Sequence, residues 1–404
     1  MTEVTDERHK TIDTRLEMID KIKALSEKYF PRVVELRRQI HANPELSWAE
    51  FQTTKLVIDE LTKLGIEVIT PLEKTGVIGI LKGKNPDKRC IALRADMDAL
   101  PIQELNKVEY CSKNEGKMHG CGHDVHTSNL LGAAMILSEL KNDFEGTIKF
   151  IFQPSEEKIP SGAEAMIKAG ALENPKVDKI FGLHVSPELD AGKFGYCSGR
   201  FMASSDEIHL TVIGKGGHAA QPRNVINPLL MAAEILLALK DVTDLKVPVV
   251  LAFGNIEGKG ATNIIPDKVT LDGTLRCFDE KLRYQLHEKI KSTATIAAMR
   301  NGGLCDVNIL IGYPVLINDE PLTEKAKALT TEYVGAENMI EIPVRMGSED
   351  FAYYTHHVPA CFYRLGVGNF AKGITSSIHT PTFNIDEDAL KDSIGLMSWL
   401  AVNA

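Results

Sequence analysis

The chain has 404 residues, 44% hydrophobic and 25% charged, a length and composition typical of a globular protein with about two domains. Its formal net charge of −9 argues against a nucleic-acid partner, and no apolar run reaches the ~20 residues of a membrane span. Seven scattered cysteines and a charged N-terminus without an apolar core predict a cytoplasmic protein with reduced thiols.

Helical and strand patterns alternate through the first half of the chain. Residues 14–40 predict one or two amphipathic helices interrupted near Pro31, and residues 48–64 predict another helix that Gly65 ends. The alternation that follows favours an α/β fold with a mostly parallel sheet covered on both faces. Its predicted strands are 76–81, 90–93, 147–152 and 179–183, and its predicted helices are 127–140 and 162–169.

Polar side chains come directly after these predicted strands. Asp96 and Asp98 follow one strand, Glu156 and Glu157 follow another, and His184 ends a third. Because functional loops gather at the carboxyl ends of parallel strands, we expect these side chains to meet at one edge of the sheet.

The pattern changes after Gly199. Strands and helices then follow in the order of a small antiparallel α+β domain, and the α/β pattern resumes near Gly312. We therefore expect a domain at 199–310 inserted between the two parts, 1–198 and 311–404, of a first domain. The predicted elements are strands at 207–213, 249–257, 268–277 and 361–365 and helices at 227–240, 280–300 and 387–400.

Residues 118–126 concentrate possible metal ligands: His119, Cys121, His123, Asp124 and His126. Two glycines let the backbone turn tightly, so a bent loop could aim the thiolate and the imidazole two positions apart at one ion. A glycine-rich turn with unrelated histidines is the alternative.

Other candidates are weaker when each is taken alone. Glu156 and Glu157 point different ways, so one could hold a metal while its neighbour faces a substrate, although a solvated turn is the alternative. A lone histidine at a strand end, such as His184, is more often a satisfied core residue, and His379 lies in a polar loop. The combination favours a metal site, because several separate strand ends supply suitable ligand types.

Six short motifs occur in order along the chain: DMDALP at 96–101, HGCGHDVHTSNLLGAA at 119–134, QPSEE at 153–157, GLHV at 182–185, GKGGHAAQP at 214–222 and SIHTP at 377–381. Together they resemble the amidohydrolase branch of the dinuclear metallopeptidase clan. That branch includes hippurate hydrolases, N-acyl-amino-acid amidohydrolases and auxin-conjugate hydrolases, and it is related to aminoacylases and some carboxypeptidases. The resemblance begins near His41, so the preceding residues are interpreted as an extra helix.

The resemblance implies a parallel-sheet metallopeptidase catalytic domain with an inserted α+β, ferredoxin-like lid that also carries dimer contacts. It also implies two divalent ions, zinc or manganese, with cobalt or nickel as further candidates. Glu156 would act as general base, and Asp98 would orient a ligand. The ligands that it implies are Cys121, His123, Glu157, His184 and His379.

In the inserted segment, the resemblance implies that His218 polarises the scissile carbonyl and that Asn263 and Arg276 hold a free carboxylate of the substrate. An arginine suits a carboxylate because it can donate two parallel hydrogen bonds. Without the family match, His218 and Arg276 would be interpreted as surface residues.

The implied function is cleavage of the amide bond of a small N-acyl amino acid by metal-activated water, in a homodimer or larger homo-oligomer. A carboxypeptidase or dipeptidase with the same site is one alternative. A non-catalytic metal-binding protein of this fold is another, although Glu156 argues against it, since a storage site needs no free base beside its ligands.

Overall fold

The computed structural model describes residues 2–240, 242 and 247–404, with side chains from Arg15 onward. The chain folds as two compact units, each built from more than one stretch of chain. The first unit comprises Met1–Gly199, Ile317–Pro343 and Tyr353–Ala404, and the second comprises Arg200–Leu316 and Val344–Ala352.

The described helices and strands follow the alternating pattern of the sequence. The helices are α1 (Thr2–His41), α2 (Phe51–Lys63), α3 (His123–Glu139), α4 (Gly162–Lys168), α5 (Pro228–Lys240), α6 (Glu280–Arg300), α7 (Glu320–Val334), α8 (Ala352–Thr355) and α9 (Ala389–Asn403). The strands are β1 (Glu67–Ile69), β2 (Val77–Lys82), β3 (Cys90–Asp96), β4 (Thr147–Gln153), β5 (Lys179–Asp190), β6 (Phe194–Tyr196), β7 (Gly199–Met202), β8 (Asp206–Ile213), β9 (Gly217–His218), β10 (Val249–Glu257), β11 (Ile264–Ile265), β12 (Lys268–Cys277), β13 (Leu304–Ile311), β14 (Leu316–Asn318), β15 (Met339–Glu341) and β16 (Ala360–Gly368).

The first unit is built on a sheet of eight strands in the order β1-β2-β4-β3-β5-β16-β6-β15. Its centre is parallel, from β4 through β3 and β5 to β16. Antiparallel pairs join β1 to β2, β2 to β4 and β6 to β16, so the whole sheet is mixed. Because β3, β4 and β5 run in parallel, their carboxyl ends lie at one edge and bring together the residues that follow them.

Helix α1 runs through Pro31 without the predicted interruption. A proline inside a helix costs ~3 kcal/mol, because it lacks an N–H group and crowds the preceding turn. Ile22, Val33 and Leu36 of this helix are fully buried in the main core, and α1 packs against α3 and α9. Burying three such side chains contributes about 5–9 kcal/mol, so tertiary packing outweighs the local cost.

The second unit has a four-stranded antiparallel sheet in the order β10-β12-β8-β13. In chain order its main elements are β8-α5-β10-β12-α6-β13, which is the ferredoxin-like arrangement that the family resemblance implies. Buried residues of α5 and α6 share a core with one face of the sheet. The first residue of β8, Asp206, pairs with the last residue of β13, Ile311.

The second unit also takes in residues 344–352, which the sequence pattern places in the first domain. The Arg345 N–H donates to the Phe201 carbonyl at 2.9 Å, and the Ala203 N–H donates to the Arg345 carbonyl at 3.1 Å. Backbone pairing over a separation of more than one hundred residues therefore draws this segment into the second unit.

None of the described helices combines the length and the apolar character needed to cross a bilayer.

Candidate metal centre

The turn before α3 places two candidate ligands beside β5. Gly122 has a left-handed φ of 86°, and a Cβ at this position would lie 2.6 Å from Val185 Cγ2. Glycine therefore permits both the turn and the close approach. The candidate ligand atoms of Cys121, His123 and His184 all lie within 4.8 Å of one another.

Hydrogen bonds orient two imidazoles toward this point. His184 donates from Nδ1 to the Val185 carbonyl at 2.8 Å, and His123 Nδ1 lies 3.1 Å from Asp98 Oδ1. Each ring is therefore anchored through Nδ1 and directs Nε2 toward the cluster, as is common for metal-binding histidines. Cys121 Sγ lies 3.3 Å from His184 Nε2.

The loop carrying His379 completes the cluster from the C-terminal part of the chain. The His379 N–H donates to the Gly120 carbonyl at 2.7 Å, and His379 Nε2 lies 3.2 Å from Cys121 Sγ. The same Nε2 is 3.3 Å from Glu157 Oε1, but without the geometry of a hydrogen bond. Cys121, Glu157 and His379 thus form a second group of possible ligands, adjoining the first at the thiol.

Asp98 is a buried carboxylate that connects several of these residues. It accepts hydrogen bonds from the backbone N–H groups of Glu156 and Glu157 at 3.0 Å each and from Ser47 Oγ at 2.7 Å. Burial alone would raise the pKa of Asp98, but the hydrogen bond from His123 and the other donors outweigh it and lower the pKa. Asp98 therefore fixes both the ring of His123 and the backbone of the glutamate pair.

His126 has both ring nitrogens engaged. Its Nδ1 lies 2.6 Å from Asp96 Oδ1, and its Nε2 accepts the Val185 N–H at 3.0 Å. Arg94 forms an ion pair with the same aspartate. His126 and Asp96 therefore support the end of β5, beside His184, rather than presenting a nitrogen to an ion.

Asp124 and His119, the other two candidates within residues 118–126, lie outside the ligand groups found in the described part of the chain. Asp124 accepts hydrogen bonds from Arg37 Nε at 2.7 Å and His41 Nδ1 at 2.8 Å, which ties α3 to α1. His119 is fully buried, and burial lowers its pKa to about 3. These two residues therefore contribute to the structure around the cluster.

The donor set of the cluster fits divalent cations. His123 Nε2 and Glu157 Oε1 are buried without a hydrogen-bond partner among the described residues, a costly arrangement unless another group satisfies them. Burial lowers the pKa of His123, but Asp96, Asp98 and Glu157 outweigh it and raise that pKa to about 10, so the surroundings favour positive charge. Imidazole nitrogens, a cysteine thiolate and carboxylates suit zinc and similar ions.

The predicted substrate-binding residues belong to the second unit. His218 is exposed on β9 and pairs with Ile264, while the neighbouring Ala219 N–H donates to the Asn263 carbonyl at 3.0 Å. Arg276 is partly buried on β12 and donates to Ser348 Oγ at 3.3 Å, and burial lowers its pKa. The sequence did not predict the contact between this arginine and the segment that follows Gly347.

Comparison with known proteins gives the class of this chain. Residues 92–403 match the peptidase family M20/M25/M40, which is more than half of the chain. The protein therefore belongs to this family.

Individual relatives agree with that placement. The chain is 39% identical over 387 residues to an IAA-amino acid hydrolase ILR1-like 4 of Arabidopsis thaliana, covering 92% of this chain and 86% of the relative. It is 36% identical over 383 residues to an N-acetylcysteine deacetylase of Bacillus subtilis, covering 93% and 97%. A crystal structure of a dinuclear metal-binding M20 peptidase from Bacillus subtilis superposes with a TM-score of 0.80 at 32% identity, covering 93% and 98%. The protein is thus a metal-dependent hydrolase of amide bonds.

Proposed function

We propose that this hydrolase cleaves the amide bond of N-acyl amino acids. The observation that carries the proposal is the glutamate pair after β4, whose two backbone N–H groups are bound by one carboxylate, Asp98. Both carboxylates lie beside the proposed ligands, with Glu156 Oε2 and Glu157 Oε1 each 3.9 Å from His123 Nε2, so Glu157 can serve as a ligand while Glu156 serves as a base. The proposed ligands of two divalent ions, zinc or manganese, are Cys121, His123, Glu157, His184 and His379.

The bound ions would supply Lewis acidity and lower the pKa of a water molecule toward neutrality. In the proposed reaction, the Glu156 carboxylate accepts a proton from the attacking water and then delivers it to the leaving amine nitrogen. Glu156 suits this role because it is buried and its Oε2 lies 3.9 Å from His123 Nε2, beside the proposed ligands. Asp98 holds the backbone that carries this base.

The second unit supplies the proposed substrate contacts. His218, exposed on β9, would donate a hydrogen bond to the scissile carbonyl as negative charge develops on its oxygen. Asn263 and Arg276 would hold the free carboxylate of the amino acid. Burial of a charged guanidinium is costly, and the partners found for Arg276 are a neutral hydroxyl and a carbonyl, so an anionic substrate group would compensate its charge.

A substrate panel with added manganese or zinc tests the proposal. We expect hydrolysis of hippurate or N-acetyl-methionine, its loss with a chelator, and slower cleavage of a simple dipeptide. The dipeptide is included because the superposed Bacillus subtilis structure is that of a peptidase. Preference for the dipeptide would favour a carboxypeptidase or dipeptidase activity, and metal binding without any hydrolysis would favour a non-catalytic protein.

Removing the free carboxylate of a good substrate should strongly reduce its cleavage. We expect the methyl ester to show a kcat/KM lower by about 10–100-fold, the value of one or two charge-assisted hydrogen bonds. Arg276→Ala should cause a similar loss on the acid but little further loss on the ester, because either change removes the same interaction. Equal cleavage of ester and acid by the unmodified enzyme would contradict the carboxylate contact.

We also propose a homodimer formed through the second unit and a cytoplasmic location. The dimer is supported by exposed apolar side chains on α5, where Leu230 and Leu237 are 67% and 71% exposed, since such patches often mark interfaces. The location is supported by the seven cysteines, all of which lie in the described part of the chain and form no disulfide bond there. Sedimentation at the mass of one chain would exclude the dimer, and recovery outside the cytoplasmic fraction would exclude the location.

A further inference from the structure

Three consecutive backbone N–H groups after β4 donate to two buried carboxylates. The Ser155 N–H donates to Glu50 Oε1 at 2.8 Å. The next two N–H groups, of Glu156 and Glu157, donate to Asp98 Oδ1 and Oδ2 at 3.0 Å each. Together these bonds fix the path of the backbone that carries the glutamate pair.

This backbone needs such support because it is strained. Ser155 has a left-handed φ of 49°, which costs a residue with a side chain about 1–2 kcal/mol. The turn is also crowded, since a Cβ on Gly162 would lie 1.6 Å from the Pro154 carbonyl oxygen. A strained conformation persists only where its surroundings hold it, and the bond from Glu50 acts on the strained residue itself.

Glu50 is not needed by the helix that it precedes. It stands at the N-cap position of α2, but its side chain makes no capping hydrogen bond. Glu45 caps the helix instead, because its carboxylate accepts the Gln52 N–H at 3.0 Å and the Thr53 N–H at 2.9 Å. The Glu50 side chain instead accepts the N–H groups of Trp48, at 3.0 Å, and Ser155 through one oxygen.

The burial of Glu50 is expensive for a residue with a purely structural role. Its side chain is fully buried, and Oε2 has no hydrogen-bond partner in the part of the chain that the structure describes, which costs about 1–3 kcal/mol or more. Burial and the nearby Asp98 raise the pKa of Glu50 to about 7. Buried polar groups that reduce stability in this way call for a separate explanation.

We propose that Glu50 is a positioning residue that holds the Glu156–Glu157 pair in place through the N–H group of Ser155. This inference rests on the proposed function, in which Glu156 is the base and Glu157 a metal ligand. Only Oε1 of Glu50 accepts the Ser155 N–H. Positioning therefore requires an acceptor oxygen at this distance from the backbone of residue 50, and it does not require the negative charge of the carboxylate.

Two conservative variants separate the effect of side-chain length from the effect of side-chain charge. Glu50→Gln keeps the acceptor at the same distance and removes the charge, whereas Glu50→Asp keeps the charge and shortens the side chain by one methylene. We expect Glu50→Gln to stay within about 3-fold of the unmodified protein in zinc affinity and kcat. Glu50→Asp should lose about 10–100-fold in both, the usual effect of changing a residue that orients a ligand, with a much smaller change in KM.

Zinc affinity is measured by competition with a chromogenic chelator, and kcat and KM with the best substrate of the panel. Glu45→Asp is the matched control, since it shortens a buried carboxylate in the same segment that does not contact Ser155. It should lower the Tm and leave zinc affinity and kcat unchanged.

Three results would overturn the proposal: unchanged zinc affinity and kcat in Glu50→Asp, an equal loss in Glu50→Gln, or the same loss in Glu45→Asp. The zinc measurements need no substrate. If the unmodified protein hydrolyses nothing in the panel, the proposed function fails by itself, while the zinc affinities still decide the role of Glu50.

Discussion

Replacing Glu156 by glutamine is expected to lower kcat by at least ~100-fold, the usual contribution of a general base. Glutamine keeps the size of the side chain and most of its hydrogen bonding but cannot accept a proton from water. The backbone N–H of residue 156 should still reach Asp98, so the position of the side chain should be preserved. Metal content, measured by atomic absorption after dialysis, should stay at the level of the unmodified protein.

Glu157→Gln provides the comparison, because it changes the adjacent carboxylate on the same fixed turn. This variant should lose metal, since Glu157 Oε1 lies among the other proposed ligands. Its activity should recover in part when metal is added in excess, whereas that of Glu156→Gln should not. Equal metal loss in both variants would contradict the division of roles between the two glutamates.

Cys121→Ser should have the second large effect, a loss of more than ~100-fold in metal affinity. Changing a residue that only orients a ligand typically costs ~10–100-fold, and here the ligand itself loses its charge and its softness. The thiol lies within 3.3 Å of both His184 and His379, so both candidate ligand groups that contain it should be weakened.

The measurement is metal content and activity across a zinc titration. Cys111→Ser is a suitable control, because this cysteine is also unpaired and belongs to the same unit but lies in none of the ligand groups. Full metal content in Cys121→Ser at ordinary zinc concentrations would remove this residue from the site.

Several elements could be predicted from the sequence because their local pattern and their tertiary surroundings agree. Strands β10 and β12 and helix α6 have the predicted bounds. Other elements were not predicted correctly, and two of them show how the tertiary surroundings decide. Pro31 does not interrupt α1, because packing of the helix outweighs the local preference. Strand β13 was not predicted, because exposed Leu304 and Leu310 place apolar residues on both of its faces and hide the alternation.

The residues of the candidate site could likewise be predicted only in part. Residue type and spacing pointed to Cys121 and His123, the family resemblance implied Glu157, and the structure brings these side chains together. The sequence could not indicate the role proposed for Glu50, since a glutamate just before a helix ordinarily suggests only a favourable charge at the helix N-terminus. Its contact with Ser155 joins residues 105 positions apart, and only the fold creates it.

The pairing of Asp206 with Ile311 has a consequence for the chain entropy of the first unit. These residues enclose the main part of the second unit and are neighbours across two strands, ~5 Å apart. A disordered loop of ~100 residues would cost about 2–3 kcal/mol more to close than one of ~5, at ~0.6 kcal/mol for each doubling of length. Once the second unit has folded, the segments before Asp206 and after Ile311 begin close together, so the entropy cost of connecting them is that of a short turn. The long insertion then adds little to the effective contact order of the first unit.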